Sequence, residues 1–417
     1  MKKTKSKKVR YLFFISLFVV MSFIIVYVGH FLFGDKNDEV TRPSENTLQT
    51  APTPDGTSIV PKISPVKHIQ RTETINGLKQ EINIMEIDPR AVGIQIQPVL
   101  SHDLIYGFEK LSEMTARKKA YAAVNGGFFN EYGMPAGMVV IDGELISAST
   151  GRYPVFAVVK GVASLKQIES KLTIEYSRIP GEGSASEDGA GDSGDSNGID
   201  KYSSAGSIQA VSLNSPTEQQ GTVVYTPVYG KNNRAKKRSI TATVEGGIVT
   251  KILLYNREIE IPQKGMLVSF FDMEKYAGVE IPLRVGDAVR LLHLPLMGES
   301  LDAYECGSWL VRDGKPVVAE RDAWVGIMTN RDPRTAIGIK EDGTVMLLTV
   351  DGRQPGYSAG FTGKELAEYL ISSGVREAAM LDGGASTEML VEGKLVSRPS
   401  FKGKERPLGG GILVLWK

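Results

Sequence analysis

Seven Asp-Gly pairs occur in the chain, and the residues after each pair separate turns from chemistry. In VVIDGELI, LVRDGKPV and IKEDGTVML the acids Asp142, Asp313 and Asp342 each join two strand-like runs. That is the setting of a tight hairpin, in which glycine accepts positive φ and aspartate bonds the local backbone. Asp55 and Asp188 lie in polar, low-complexity sequence. Asp351 and Asp382 differ: the first ends VMLLTV and leads into GRQPGYSAG, the second ends AAML and leads into GGAST. No apolar returning strand comes at once after them, so both carboxyls are expected at strand ends facing a loop-lined cleft, where a rigid element can aim an acid at a reacting group. YAAVNGGFFN ends a buried run at Asn125 and Gly126. Asn-Gly is also a strong hairpin signal, and the Phe128–Phe129 pair fits either a core or a pocket wall.

Strands must position these groups. KLTIEY, GTVVYTPVYG, SITATVEGGIVTKILLY and AVRLLHLPL alternate and are rich in β-branched and aromatic residues, with glycine turns between them. Helices are few. In TGKELAEYLISSG, Thr362 and Glu365 form a capping box, Leu366, Tyr369 and Leu370 an apolar stripe, and Gly374 a stop. Phe108, Leu111 and Met114 mark a second helix. The expected fold is α+β: a mixed, strand-rich sheet domain with a few flanking helices, preceded by one N-terminal transmembrane helix.

That last element rests on residues 1–33. Six basic residues within 1–10 precede a 23-residue apolar run, Tyr11–Phe33. As a helix the run would extend about 34 Å, enough to cross a bilayer core, and its basic flank would stay cytoplasmic. A signal-anchor at 11–33 is therefore expected, in a bacterial cell membrane and single-pass, with everything beyond it extracytoplasmic. A cleaved signal is the alternative, against which stands the absence of a small-residue cleavage site. Residues 34–68 read as a proline-rich flexible linker and 69–417 as the folded domain, interrupted by a disordered acidic insertion at 181–206. KNNRAKKR, residues 231–238, reads as a solvated hairpin tip. The net charge of +1 argues against a nucleic-acid partner; one cysteine, Cys306, rules out an intrachain disulfide, and four scattered histidines show no zinc spacing.

The order NGGFF, RTAIGI, VDGR, a capped helix, LDGGAS and RPLGGGILV resembles the phosphodiester glycosidase family, over about Ile69 to Lys417. Related domains occur in bacterial envelope proteins. The resemblance implies cleavage of a sugar 1-phosphodiester, and it points to Asn125, Gly126, Arg334, Thr335, Asp351, Gly352, Arg353, Asp382, Gly383, Gly384, Ser386, Thr387 and Arg406 as site residues. Ala385 stands where a third glycine is common, and Glu388 where a small or hydroxyl residue is usual.

The chemistry suits these types. Arginine forks, here Arg334, Arg353 and more weakly Arg406, match phosphate oxygens, and glycine-rich turns expose amides. Asp351 and Asp382 are the carboxylate pair, one donating a proton and the other attacking or activating water, with substrate held by Asn125, Gly126, Thr335, Gly383, Gly384, Ser386 and Thr387. No cofactor is required for this; a divalent cation, Ca or Mg, on either aspartate is the alternative. The partner would be an anionic sugar phosphodiester or cell-wall polymer, with the membrane reached through the N-terminal helix. Two rival functions stay open: a glycan-binding or assembly module without turnover, and a phosphodiesterase that cleaves P–O.

Overall fold

The computed structural model describes residues 64–178, 204–215, 221–271, 281–294 and 301–417. The basic tail, the anchor at 11–33, nearly all of the 34–68 linker and the insertion up to residue 203 lie outside the described residues. Among the described residues no helix is long and apolar enough to cross a membrane.

Strands dominate, as the alternating and β-branched runs require. Among the described residues they form a seven-stranded, an eight-stranded and two five-stranded sheets, with one two-stranded ribbon. The eight-stranded sheet includes Lys171–Arg178, Thr222–Tyr225, Ser239–Glu245, Ile248–Tyr255 and Ala288–Leu294, which lie in the four runs read from the sequence.

The seven-stranded sheet carries the two candidate acids. Its centre is antiparallel, with Arg334–Lys340 between Val345–Val350 and Val375–Met380. VMLLTV shows no alternation because both of its faces are buried. Val345 and Leu347 enter a core shared with Ala122, Val124, Met389 and Val414 of a five-stranded sheet. Met346, Leu348 and Val350 enter a second core with Leu366, Ala367 and Leu370 of the Gly363–Ser372 helix. The site-bearing sheet is thus the middle layer of three. Each fully buried aliphatic contributes roughly 1.5–3 kcal/mol, which fixes the strand ends against sliding.

Both expected helices are present, Leu111–Lys118 and Gly363–Ser372. In the second the box closes reciprocally: Glu365 N donates to Thr362 Oγ1 at 3.2 Å, and Thr362 N donates to Glu365 Oε2 at 2.9 Å. Asp142 and Asp313 both have φ of 50° and head the expected tight turns.

Two boundaries and one loop differ from the sequence reading. Strand structure begins at Val66, paired with Ile87 in a hairpin of two ten-residue strands, rather than at Ile69. The insertion ends earlier, because Ser204–Ala210 completes the ladder of Lys171–Arg178, so Ser204, Ala205 and Gly206 are strand. The 231–238 run is no hairpin tip. Buried Asn233 accepts hydrogen bonds from Ala235 N and Ile259 N, and the Arg234 guanidinium lies 3.8 Å from the centre of the Tyr106 ring, so the basic segment is pinned to the domain.

Thr362→Ala should lower stability by about 1 kcal/mol, read as a lower urea midpoint with an unchanged slope, while Thr362→Ser should retain most of it. An unshifted midpoint for Thr362→Ala would show that the cap contributes nothing.

Candidate active site

Register delivers both aspartates to one end of the seven-stranded sheet. Val350 pairs with Arg334, so Asp351 leaves beside Pro333; Leu381 N donates to Thr335 O, so Asp382 leaves on the other flank of the same strand. Neither acid sits in a hairpin turn.

Asn125, at the end of its buried strand, links three segments there. Its Nδ2 donates to Asp382 O at 2.7 Å and to Gly126 O at 3.1 Å. Its Oδ1 accepts from Thr335 Oγ1 at 2.8 Å and from Glu388 N at 3.2 Å. The amide has two donor hydrogens and two acceptor sites, and all are used. Asn125 and Thr335, expected to hold substrate, hold the scaffold. Gly126 and Gly127 are needed because backbone and ring touch here: a Cβ would lie 2.8 Å from the Tyr304 hydroxyl in one case and 2.9 Å from its ring in the other.

The Arg406 charge acts on both Asp382 and Glu388. Burial pushes the Asp382 carboxyl up, offset in part by the nearby Ser386 hydroxyl, the Arg406 charge and the Gly383 N–H, which donates to Oδ1 at 2.9 Å. Ser386 Oγ itself makes no well-aligned hydrogen bond. Glu388 has no exposed surface, and burial pushes it up to about 8; Arg406 N donates to its Oε1 at 2.9 Å and the Arg406 charge offsets some of the rise. Its Oε2 has no hydrogen-bond partner. The sequence reading saw Glu388 only as a departure from the family pattern. The usable signal was an acid between Thr387 and the apolar Met389–Val391, where a buried strand has no ordinary use for one.

Asp351 has different company. It is buried and pushed up to about 6 by burial, with Oδ2 accepting from Arg398 N at 2.8 Å and Tyr357 Oη at 3.2 Å. The charges acting on it are Glu81 and Arg398, whereas the charge acting on Asp382 is Arg406. The two aspartates share a sheet end but no partner.

The arginines divide in the same way. Arg334 is fully buried: Nε donates to Phe361 O at 3.0 Å, Nη2 donates to Asn330 O at 2.9 Å, and Asp332 is 3.8 Å away. It braces the core instead of opening to phosphate as expected. Arg353 is half-exposed and paired with Asp332 at 2.7 Å, and it lies against Gly384, whose φ is 59°. Arg406 is partly exposed, 5.4 Å from the Phe129 ring centre, and among the described residues its guanidinium donates no hydrogen bond.

The glycine turn also differs from expectation. Gly383 N serves Asp382, Gly384 N donates to Pro333 O, Ser386 N to Gly383 O and Thr387 N to Gly384 O. These amides are spent internally. The free polar groups are instead Ser386 Oγ, Thr387 Oγ1, Glu388 Oε2 and Asp351 Oδ1, buried without hydrogen-bond partners. Such groups cost roughly 1–3 kcal/mol each, and they concentrate where a polar molecule is held. Gly352 packs a would-be Cβ within 2.7 Å of Pro333 N, a close approach that glycine alone permits. Among the described residues no three His, Cys, Asp or Glu side chains gather as a metal-binding group.

The raised acids carry a pH signature. Folded Glu388 binds its proton more tightly than the ordinary group at 4.5 does, so its contribution to stability is complete below that value and is lost as pH rises through about 8. Asp351 behaves alike, from 3.8 up through about 6. Glu388→Gln mimics the neutral acid, so it should match the parent at about pH 5 and exceed it at about pH 9 in denaturant titrations. A variant equally destabilised at both would show that Glu388 is ionised throughout.

Residues 239–415 match the family model described as phosphodiester glycosidase. The chain is 30% identical over 173 residues to the SPbeta prophage-derived uncharacterized protein YomE of Bacillus subtilis (strain 168), covering 40% of this chain and 26% of that protein. It is 32% identical over 106 residues to the N-acetylglucosamine-1-phosphodiester alpha-N-acetylglucosaminidase of Bos taurus, covering 22% of this chain and 19% of that protein. The chain therefore spans about a quarter or less of the length of these relatives. A solved structure of a hypothetical protein from Synechocystis has the same fold, with a TM-score of 0.65 at 22% identity over 85% of this chain and 62% of that one. The region similar to that family model contains Arg334, Asp351, Asp382, Glu388 and Arg406.

Proposed function

We propose that this protein is an extracytoplasmic hydrolase that cleaves the glycosidic bond of a sugar 1-phosphodiester in an anionic envelope glycopolymer or exopolysaccharide. The observation that carries the reading is that Asn125 holds Asp382 and buried Glu388 at the two ends of one turn, with Arg406 N bonded to Glu388 and the Arg406 charge acting on both acids. The bovine relative is named for an N-acetylglucosamine 1-phosphodiester, which makes an N-acetylated sugar the first candidate. Location outside the cytoplasm rests on the basic flank and apolar run of residues 1–33.

In this reading Asp382, the acid with some exposed surface, meets the anomeric carbon or its attacking water. Glu388, dry and protonated at neutral pH, keeps a second negative charge away from Asp382 and stores a proton beside it. Arg406 and Arg353 take the phosphate oxygens, a role for which the guanidinium fork is suited. Ser386 and Thr387 hydroxyls bond the substrate. A phosphate ester is already a good leaving group, so one reactive carboxyl suffices. Asp351 then acts as a positioning residue, tethering the segment around Arg398 and the Tyr357 turn. The scheme needs no cofactor.

Incubation with a panel of sugar 1-phosphodiesters and cell-wall polymers in ¹⁸O-water should release sugar carrying the label. Asp382→Asn should lose about a thousandfold in kcat, while Asp351→Asn should lose less than about tenfold and melt earlier. Arg406→Ala should raise KM by about tenfold. Label on phosphate would favour P–O cleavage, chelator-sensitive turnover would bring in a divalent cation, and saturable binding without turnover would favour the glycan-binding module.

A further inference from the structure

A second aromatic feature stands beside this centre. The ring of Phe128, in the turn that begins at Asn125, is buried, and the Trp324 indole stacks on it with centroids 5.6 Å apart and planes 10° from parallel. Trp324 is 44% exposed, so one face of the indole lies on Phe128 and much of the residue meets solvent. Burying a residue of this size is ordinarily favourable, and a rigidly held, solvent-facing aromatic is a feature of recognition surfaces.

The loop that presents it is built to hold still. Asp322 is buried and accepts hydrogen bonds from Trp324 N at 2.7 Å and Val325 N at 2.8 Å, while the Ser308 hydroxyl donates to its other oxygen. Gly326, with φ of 82°, closes the turn, and Arg321–Asp322 pairs with Gly326–Ile327.

Its position ties it to the reacting groups. Phe128 packs against Gly307, which also approaches the carbonyl of Met380, two residues before Asp382. Asp322 lies within electrostatic range of Arg334 and of Tyr153, whose ring is partly exposed. Asp382 N donates to Gly126 O, two residues before Phe128, so the indole is backed by the turn that holds Asp382.

We propose that Trp324, backed by Phe128, is the platform on which the substrate's sugar ring rests, making this loop a specificity determinant for the pyranose. This rests on the hydrolase reading above. The axial C–H face of a pyranose is apolar and matches a neutral aromatic plane, whereas its phosphate is left to the guanidinium groups. The division predicts that sugar and phosphate contribute separately.

The test uses the whole protein and two variants, Trp324→Ala and Trp324→Phe. With a sugar 1-phosphodiester that the parent hydrolyses, Trp324→Ala should raise KM roughly three- to tenfold with kcat changed less than about twofold, and Trp324→Phe should restore most of the affinity. Titrating N-acetylglucosamine 1-phosphate should quench or shift tryptophan emission in the parent and not in Trp324→Phe; inorganic phosphate should leave both unchanged. An unaltered KM in Trp324→Ala, or saturable sugar-phosphate binding that leaves parent emission untouched, overturns the platform while the hydrolase reading stands. A parent with neither turnover nor binding overturns both.

Discussion

Four hydrogen bonds to one buried amide decide where everything else in the site lies. Asn125 joins the carbonyl of Asp382 and the N–H of Glu388, at the two ends of one turn, to the hydroxyl of Thr335 on another strand, and keeps the turn at Gly126 closed. Each bond contributes only about 0.5–1.5 kcal/mol net, yet losing one partner would leave its mates buried and unpaired at roughly 1–3 kcal/mol each. That asymmetry makes the knot rigid without making the protein unusually stable. A side chain that binds substrate must keep capacity in reserve, and Asn125 has none.

Around the knot, burial does the chemical tuning. Burial at the ends of the seven-stranded sheet, and at the start of Met389–Val391 in the five-stranded sheet packed on it, raises the carboxyls of Asp351, Asp382 and Glu388 by the same physical cause. Hydrogen bonds and the local cation offset part of that rise. Arg406 offsets the rise at both Asp382 and Glu388, and its guanidinium retains donors for an anion because its other contact is the face of Phe129. Arg334 shows the opposite use of the same residue type: buried with two backbone carbonyls and Asp332, its charge is consumed in bracing the fold. Carrying raised acids and unpaired hydroxyls in the interior costs stability, as sites commonly do.

Much of this was legible in the residues. The missing return strand after Asp351 and Asp382 correctly separated them from Asp142 and Asp313, since turn chemistry is local. The capping box at Thr362 and Glu365 was legible for the same reason. Features that depend on register were not. No local pattern shows that one whole strand separates Asp351 from Asp382, that Arg334 turns toward Phe361, or that the Gly383 amide serves Asp382 while the Gly384 amide is spent on Pro333 O. Glu388 went unassigned because one acid in a short apolar run reads as an exception until burial is known. Ser204 to Gly206 looked like the acidic segment they adjoin, and only the ladder with Lys171–Arg178 marks them as strand.

Which acid the substrate meets decides the mechanism. A crystal structure of the Asp382→Asn variant with an uncleaved sugar 1-phosphodiester measures this directly. It should place the anomeric carbon beside residue 382 and phosphate oxygens within hydrogen-bond distance of the Arg406 guanidinium. A ligand seated instead against Asp351, Tyr357 and Arg398, with Arg406 untouched, would contradict the assignment of Asp382.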